Sequence, residues 1–453
     1  MAYVTAMFMT GTDMQIVNVA LPTLSHRFSA PLSEAQWTAI SYLLALAVLI
    51  PASGWIGDRV GLKRTFVFAL ALFTAASALC GLVHTLGELI AARALQGVGG
   101  GMLTPSGTSM LYRAYPPERR ARVARTIILP ILIGPASAPI LGGALTEWVS
   151  WRWVFLINVP VGVTMVLFCW RFLPRVRPTG SGRLDLGGLL LSGVGLSSLL
   201  YAVSEGSALG WGSMPVMLSG LSGIALLAAF SRRSLHHRDP ILRIRLLRDR
   251  LFRATNIVFA LSTGPFLGSL YLTPIFLQEV LHQSPLGSGT TTFVEAVGVA
   301  IGSQTLARLY PRFGPRALAS LGAAGLVIYL SMFLLVVPGT NLWLVRALML
   351  FGGYVNSGTF LATQTAMFTT IPNSDLSHAA AIYNTQRQST IALNVAVLTT
   401  IVAGSAAASI SAFHCAYLAA AVIAAVGTIS ALTLIHTSDA HATMGLVPVA
   451  ADA

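Results

Sequence analysis

Apolar runs of about twenty residues recur along the whole chain, separated by short turns rich in Gly, Pro and charge. A helix rising 1.5 Å per residue needs roughly 20 residues to cross a bilayer. The pattern therefore predicts about fourteen transmembrane helices, centred roughly on residues 13, 47, 75, 100, 135, 163, 195, 223, 264, 300, 326, 355, 392 and 424. The runs also repeat. RALQGVGG at 93–100 returns as RALMLFGG at 346–353, an offset of 253 that pairs Arg93 with Arg346, Gly99 with Gly352 and Gly100 with Gly353. The same offset relates GDRVGLKR at 57–64 to YPRFGPRA at 310–317 and aligns Gly61 with Gly314. Six helices with their loops occupy only about 180–200 residues. The excess predicts two extra helices inserted between two six-helix repeats.

The expected organisation is a six-helix bundle over 1–173, two inserted helices and a basic loop over 174–253, a second six-helix bundle over 254–436, and a short cytoplasmic tail over 437–453. The fold class is an all-α polytopic membrane protein. Two such halves are what alternating access requires, since they can rock about a site between them. The polar stretch RVRPTGSGRLD at 175–185 marks the first boundary. The loop from Ser231 to about Arg253 mixes eight Arg with Ile241, Leu242, Ile244, Leu246, Leu247, Leu251 and Phe252. That mixture predicts a segment lying on the membrane surface, with Arg reaching toward headgroups.

Hydrophobic residues make up 55% of the chain and charged residues 9%, with a mean hydropathy of +0.74. A soluble domain carries about 25% charge. The net charge of +13 is not a nucleic-acid footprint, because the basic residues occupy alternate loops. The loops after helices 2, 4, 6, 8 and 10 hold three, five, four, eight and three Lys/Arg, which is 23 of the 28. Basic loops stay in the cytoplasm, so both termini are expected there; the single-Lys, Arg-heavy composition suits a GC-rich bacterial genome, and the expected location is the bacterial inner membrane. The chain opens on an apolar segment with no basic leader, so no cleavable signal is expected. Cys80, Cys169 and Cys415 lie in or beside apolar spans and read as small core residues, not as a disulfide or metal set.

An ionisable group in a membrane helix costs about 2.5–3.5 kcal/mol on insertion scales, so each one needs a reason. Asp13, Arg93, Glu295, Arg346 and Arg387 stand out. Asp13, near the middle of helix 1, reads either as a carboxyl that takes up and releases protons or as a polar residue at a membrane edge. Arg93 keeps its charge in a protein. It must meet a carboxylate, carbonyls or water, either to tune a nearby acid or to tie helices together. Glu295, which the offset aligns with Tyr42, reads as a site for cationic substrates or a second proton, or as a partner for an Arg. Arg387, with Asn384 and Gln388, either lines a cavity or packs helices, and Arg346 reads as the structural twin of Arg93. Gly97, Gly99, Gly100 and Gly101 lie inside an apolar run with no following Lys-Ser/Thr, so they read as helix-contact glycines and not as a phosphate loop.

Taken together, several motifs resemble the major facilitator superfamily. GWIGDRVGLKR at 54–64 resembles its loop between helices 2 and 3, and RALQGVGGGMLTP at 93–105 its helix-4 motif. PASAPILGG at 135–143 is similar to the helix-5 motif of its drug:proton antiporters. TDMQIVNVALP at 12–22, WRWVFLINVPVG at 151–162, SEG at 204–206 and PRFGPR at 311–316 are similar to its fourteen-helix EmrB/QacA branch. The chain departs from the pattern at Ala138, Ala307 and Pro311, and at Gln15, where the family has Thr.

The resemblance implies the major facilitator fold, with Asp13 as a coupling acid and Arg93 as its tuning cation. It implies a cytoplasmic gate at Gly54, Asp58, Arg59, Gly61, Lys63 and Arg64, joined by Glu118 and Arg122, although a solvated charged turn accounts for the same residues. Pro139, Gly142 and Gly143 would bend or thin helix 5 where the halves meet. The cavity candidates are Gln15, Tyr42, Glu295, Asn384, Arg387 and Gln388. The expected activity is proton-driven export of amphipathic or cationic drugs, with a dedicated exporter of one metabolite as the alternative. No nucleophile–base set or metal spacing points to an enzyme. No cofactor or metal is expected, since the proton gradient supplies the drive. The expected partners are a small-molecule substrate, protons and the lipid bilayer, with no nucleic acid. A periplasmic adaptor protein would have to dock on the outer loops.

Overall fold

The computed structural model describes residues 2–114, 134, 137–173, 185–237, 240–372, 375–403 and 409–436. The regular elements among them are helices, with no strand among the described residues. The helices are α1 (Ala2–Phe28), α2 (Leu32–Ala35), α3 (Trp37–Val60), α4 (Leu62–Leu82) and α5 (Leu86–Ala114), then α6 over 137–148. They continue with α7 (Trp153–Leu156), α8 (Asn158–Phe172), α9 (Leu186–Leu209), α10 (Met214–His236), α11 (Arg250–Val258), α12 (Gly264–Glu279), α13 (Pro285–Met332), α14 (Leu342–Met367), α15 (Leu376–Ala403) and α16 (Ile410–Leu434). Two compact units divide the chain: Met1–Ile241 with Leu277–Thr290, and Leu242–Phe276 with Thr291–Ala453.

The breaks between helices have local causes. Gly61 has φ 97° and turns α3 into α4. Its repeat partner Gly314 has φ 73° and divides α13 into two spans. These are the conformations that side chains with a Cβ avoid. A π-turn at Phe259–Thr263 joins α11 to α12. Asp185 caps α9 by accepting from Gly188 N at 2.8 Å, and Asp249 caps α11 by accepting from Phe252 N at 2.8 Å.

Eight segments of the described residues are long and apolar enough to cross a membrane. α1, α5, α14 and α15 are equally long but fall outside that set. They carry Asp13, Arg93, Arg346 and the polar run Asn384–Gln388, and such groups lower a helix's hydropathy.

Apolar lipid gives helices no hydrophobic drive to associate, so close backbone contact does much of that work. α5 shows how. A Cβ on Gly97 would lie 2.5 Å from the backbone oxygen of Tyr42, and one on Gly101 3.2 Å from that of Leu46, both on α3. On another face, a Cβ on Gly99 would lie 2.7 Å from Phe73 N on α4. The glycines thus seat α5 between α3 and α4. In α6, Gly142 abuts the backbone of Ile16, and Gly143 abuts Pro285 and Leu286.

The inserted hairpin α9–α10 closes on itself where Gly223 meets the backbone of Gly195 and Leu199. It joins the first unit through Trp37 Nε1, which donates to Glu205 Oε1 at 3.0 Å. In the second unit Gly352 seats against the Tyr329 ring and Gly353 against the backbone of Glu295. Phe333 and Tyr417 stack at 4.4 Å between ring centroids.

Two expectations change. The basic loop is shorter than expected, because α10 runs on to His236 and α11 begins at Arg250. Several of its apolar residues turn into protein and not toward lipid: Leu242, Leu251 and Phe252 are buried. Arg243 Nη1 also pairs with Asp375 Oδ1 at 2.8 Å. Cys80 and Cys169 are buried, but Cys415 is exposed on α16 and is no core residue.

Gly99→Leu should lower stability by about 1–3 kcal/mol, because backbone cannot yield as a side chain can. Gly87→Ala, with nothing within 4 Å of the added Cβ, should leave it nearly unchanged. Thermal unfolding of the detergent-solubilised variants reads the difference.

Candidate functional site

Asp13 is fully buried in the interior of α1, and Arg93 on α5 is 1% exposed. Asp13 is thus enclosed by protein. The two side chains meet directly: Arg93 Nη1 lies 2.6 Å from Asp13 Oδ2. The other carboxylate oxygen accepts from Gln96 Nε2 at 2.8 Å and from Asn158 Nδ2 at 3.0 Å. Both amides also donate to Ser77 Oγ, at 3.1 and 3.3 Å, and that hydroxyl donates to Phe155 O at 2.9 Å.

The guanidinium is held on its remaining sides. Its Nε donates to Thr38 O at 3.0 Å and its Nη1 to Gln96 Oε1 at 2.8 Å. Its carbon lies 4.1 Å from the centre of the Tyr42 ring and 5.7 Å from that of Phe155. α1, α3, α4, α5, α7 and α8 each contribute a group to the network. Arg93 and Gln96 stand three residues apart, which places them on one helix face. Arg93 also shares a face with Gly97, four residues on, so the close approach of α5 to α3 brings it against Thr38 and Tyr42.

A buried ion pair gains stability only when its remaining hydrogen-bonding capacity is also met. That condition holds for Asp13, since both of its oxygens are occupied. The pair is matched in charge and enclosed, so it can change state only by moving a proton or a helix.

The other predicted residues are dispersed. Gln15, half-buried on α1, accepts from Asn18 Nδ2 at 2.8 Å. Glu295, buried on α13 in the second unit, accepts from Tyr329 Oη at 3.3 Å. Among the described residues no Arg pairs with it. On α15, Asn384 donates to Ala380 O at 2.9 Å. Gln388 is buried with its Oε1 unpaired, and Arg387 is half-buried.

In the loop region Arg59 is exposed over the Trp55 ring at 5.6 Å, and Arg64 is exposed. Lys63 Nζ donates to Leu173 O at 2.5 Å, closing the end of α8. Gly54 and Asp58 lie within α3, but the surroundings of Gly54 and the side chain of Asp58 fall outside what the structure describes, as do Glu118 and Arg122 entirely. Pro139, Gly142 and Gly143 lie on α6. A Cβ on Gly289 would overlap the backbone oxygen of Pro139, so the motif marks a close backbone contact.

Three comparisons bear on this arrangement. The family model described as Major Facilitator Superfamily matches residues 3–394. The chain belongs to the major facilitator superfamily. It is 36% identical to a protein named multidrug resistance protein B homolog from Mycobacterium tuberculosis, over 71% of this chain and 61% of that protein. The match thus spans about three fifths of that relative's length. It is 31% identical to proteins provisionally named multidrug resistance protein MdtD. The one from Serratia proteamaculans is matched over 86% of this chain and 82% of that protein, and the one from Yersinia pestis over 92% and 91%. Among solved structures, a D-xylose-proton symporter superposes with a TM-score of 0.69 over 96% of this chain and 97% of its own. At 14% identity that likeness concerns the fold alone. This superfamily is one of multi-pass membrane transporters.

Sequence reasoning missed Gln96, Asn158, Ser77 and Thr38. Gln96 and Asn158 sit inside the motifs RALQG and FLINVP, but neutral side chains carry no charge to flag them. Ser77 and Thr38 gave no signal.

Arg93→Gln removes the counter-charge of Asp13 and should destabilise the protein by about 3–5 kcal/mol. Combining it with Asp13→Asn should return most of that loss. Thermal unfolding of the wild type, both single variants and the double variant measures the coupling; additive losses would show that the two groups do not act as a pair.

Proposed function

We propose that this transporter is a multidrug exporter that admits protons in exchange for amphipathic or cationic compounds, with Asp13 as its coupling acid. The observation that carries this reading is the buried Asp13–Arg93 pair with its amide cradle. Proton binding to Asp13 removes the counter-ion of Arg93, which cannot shed its own charge. The guanidinium must then rely on Thr38 O, Gln96 Oε1 and the Tyr42 ring, or seek a new anion. Either way α1 loses its hold on α5, and such a change can bias a two-state helix arrangement. The names of the relatives support drug export.

In this reading the proton gradient is the only energy source, and no cofactor takes part. The membrane is the bacterial inner membrane, with both termini cytoplasmic, as the basic loops require. Glu295, a buried acid whose partner is a neutral phenol, is the group that receives cationic substrates.

The test uses inside-out vesicles loaded with a pH-sensitive dye and a panel of cationic and neutral amphiphiles. Wild type should release protons when a substrate is added, and Asp13→Asn should not. Glu295→Gln should lose the response to cations and keep it for neutral compounds. Release that persists in Asp13→Asn would remove the coupling role. A wild type that answers no member of the panel would favour an exporter dedicated to one metabolite.

A further inference from the structure

The repeat places Arg346 where Arg93 stands in the first half, and Thr291 where Thr38 stands. Part of the contact is kept: Arg93 Nε donates to Thr38 O, and Arg346 Nε donates to Thr291 Oγ1 at 3.4 Å. The acid and its cradle are not. The positions 253 residues on from Asp13 and Gln96 hold Phe266 and Met349. Arg346 is half-buried, and among the described residues no carboxylate pairs with it. Its other contact is the ring of Trp343, 4.8 Å from the guanidinium carbon. Of five N–H donors, one has a long hydrogen bond.

The surroundings of Arg346 show where its counter-ion can come from. Trp343 is 72% exposed, and it sits near the beginning of α14. Beyond Arg346, on the same side of the helix, a groove of about 240 Å³ runs along the seam between α13 and α14. It is lined by Gly298, Ile301, Ala347, Leu350, Phe351 and Tyr354. Thr291 and Gly298 are seven residues apart on α13, two turns of one face, so the Arg346 contact and the groove share a seam. Gly298 shapes the floor, because a Cβ there would overlap the backbone of Leu350. Ile301 is 46% exposed, so the groove opens to the surroundings of the bundle, which in this chain are lipid. Its volume lies below the roughly 300–1,000 Å³ of sites that enclose small molecules, and its walls are apolar.

We propose that this seam binds a membrane phospholipid, with the phosphate on Arg346 and one acyl chain in the groove. An exposed aromatic residue in the first turn of α14, a guanidinium with free donors and an apolar channel farther along the helix match the three parts of such a molecule in order. The first half has turned the same Arg inward onto an acid of its own. The second half takes its anion from the bilayer.

The test reconstitutes the full chain in phosphatidylcholine vesicles containing a minor fraction of phosphatidylglycerol with brominated acyl chains, which quench nearby Trp fluorescence. The chain has eight Trp, so the Trp343 signal is taken as the difference from Trp343→Phe. Wild type should show quenching of Trp343 well above the bulk share of brominated lipid. Arg346→Gln should bring it down to that share, and so should Ala347→Phe, which fills the groove at an exposed position. Wild-type quenching at the bulk share would overturn the site. So would quenching that survives Arg346→Gln, or a loss with Arg346→Gln but none with Ala347→Phe, which would leave a headgroup contact without a groove. A signal that tracks protein density and not lipid composition would make the seam a contact between copies and also defeat the proposal.

Discussion

A carboxylate and a guanidinium buried together in the first unit constrain most of what surrounds them. Neither Asp13 nor Arg93 could sit alone in a membrane helix without a large penalty. Their mutual contact at 2.6 Å is tolerable because both oxygens of the acid are hydrogen-bonded and the guanidinium is further held by Thr38 O, Gln96 Oε1 and the Tyr42 ring. The network takes Gln96 from α5 itself and Thr38, Ser77 and Asn158 from three further helices, α3, α4 and α8. Those helices must approach closely, and the glycines of α5 let them do so. Packing and electrostatics here are one requirement, since a bulkier α5 would pull the donors off the acid.

The two halves resolve the same inherited pattern differently. Gly61 and Gly314 both adopt positive φ at equivalent turns. Gly100 seats near the Tyr42 hydroxyl, and Gly353 seats on the backbone of Glu295, the residue that the offset pairs with Tyr42. The scaffold is therefore repeated while the chemistry is not. The first half holds an acid matched by a cation. The second holds an acid beside a phenol, and a half-buried cation against the Trp343 ring. In the proposed function, proton handling falls to the first half and recognition of cations to the second.

Much of this was legible in the sequence because charge is conspicuous against a long apolar background. Asp13 and Arg93 announced themselves, as did Gly61 and Gly314 through the repeat. The partners that make the pair tolerable did not. Gln96, Asn158 and Ser77 cost little to place in a helix, so nothing forced attention to them. The π-turn at Phe259–Thr263 depends on hydrogen-bond register and leaves no mark in composition. The basic loop misled for a physical reason: a mixed Arg/Leu segment suits a lipid surface and a protein groove equally, and tertiary packing chose the groove for Leu242, Leu251 and Phe252.

In the proposed coupling, Asp13 itself takes the proton and lets go of Arg93. Infrared difference spectroscopy of the reconstituted protein, recorded as pH is lowered, observes that event through the carbonyl stretch of a newly protonated carboxylic acid. The band should be present in wild type and absent in Asp13→Asn. A band that stays in Asp13→Asn and vanishes in Glu295→Gln would contradict this and move the coupling acid to the second unit.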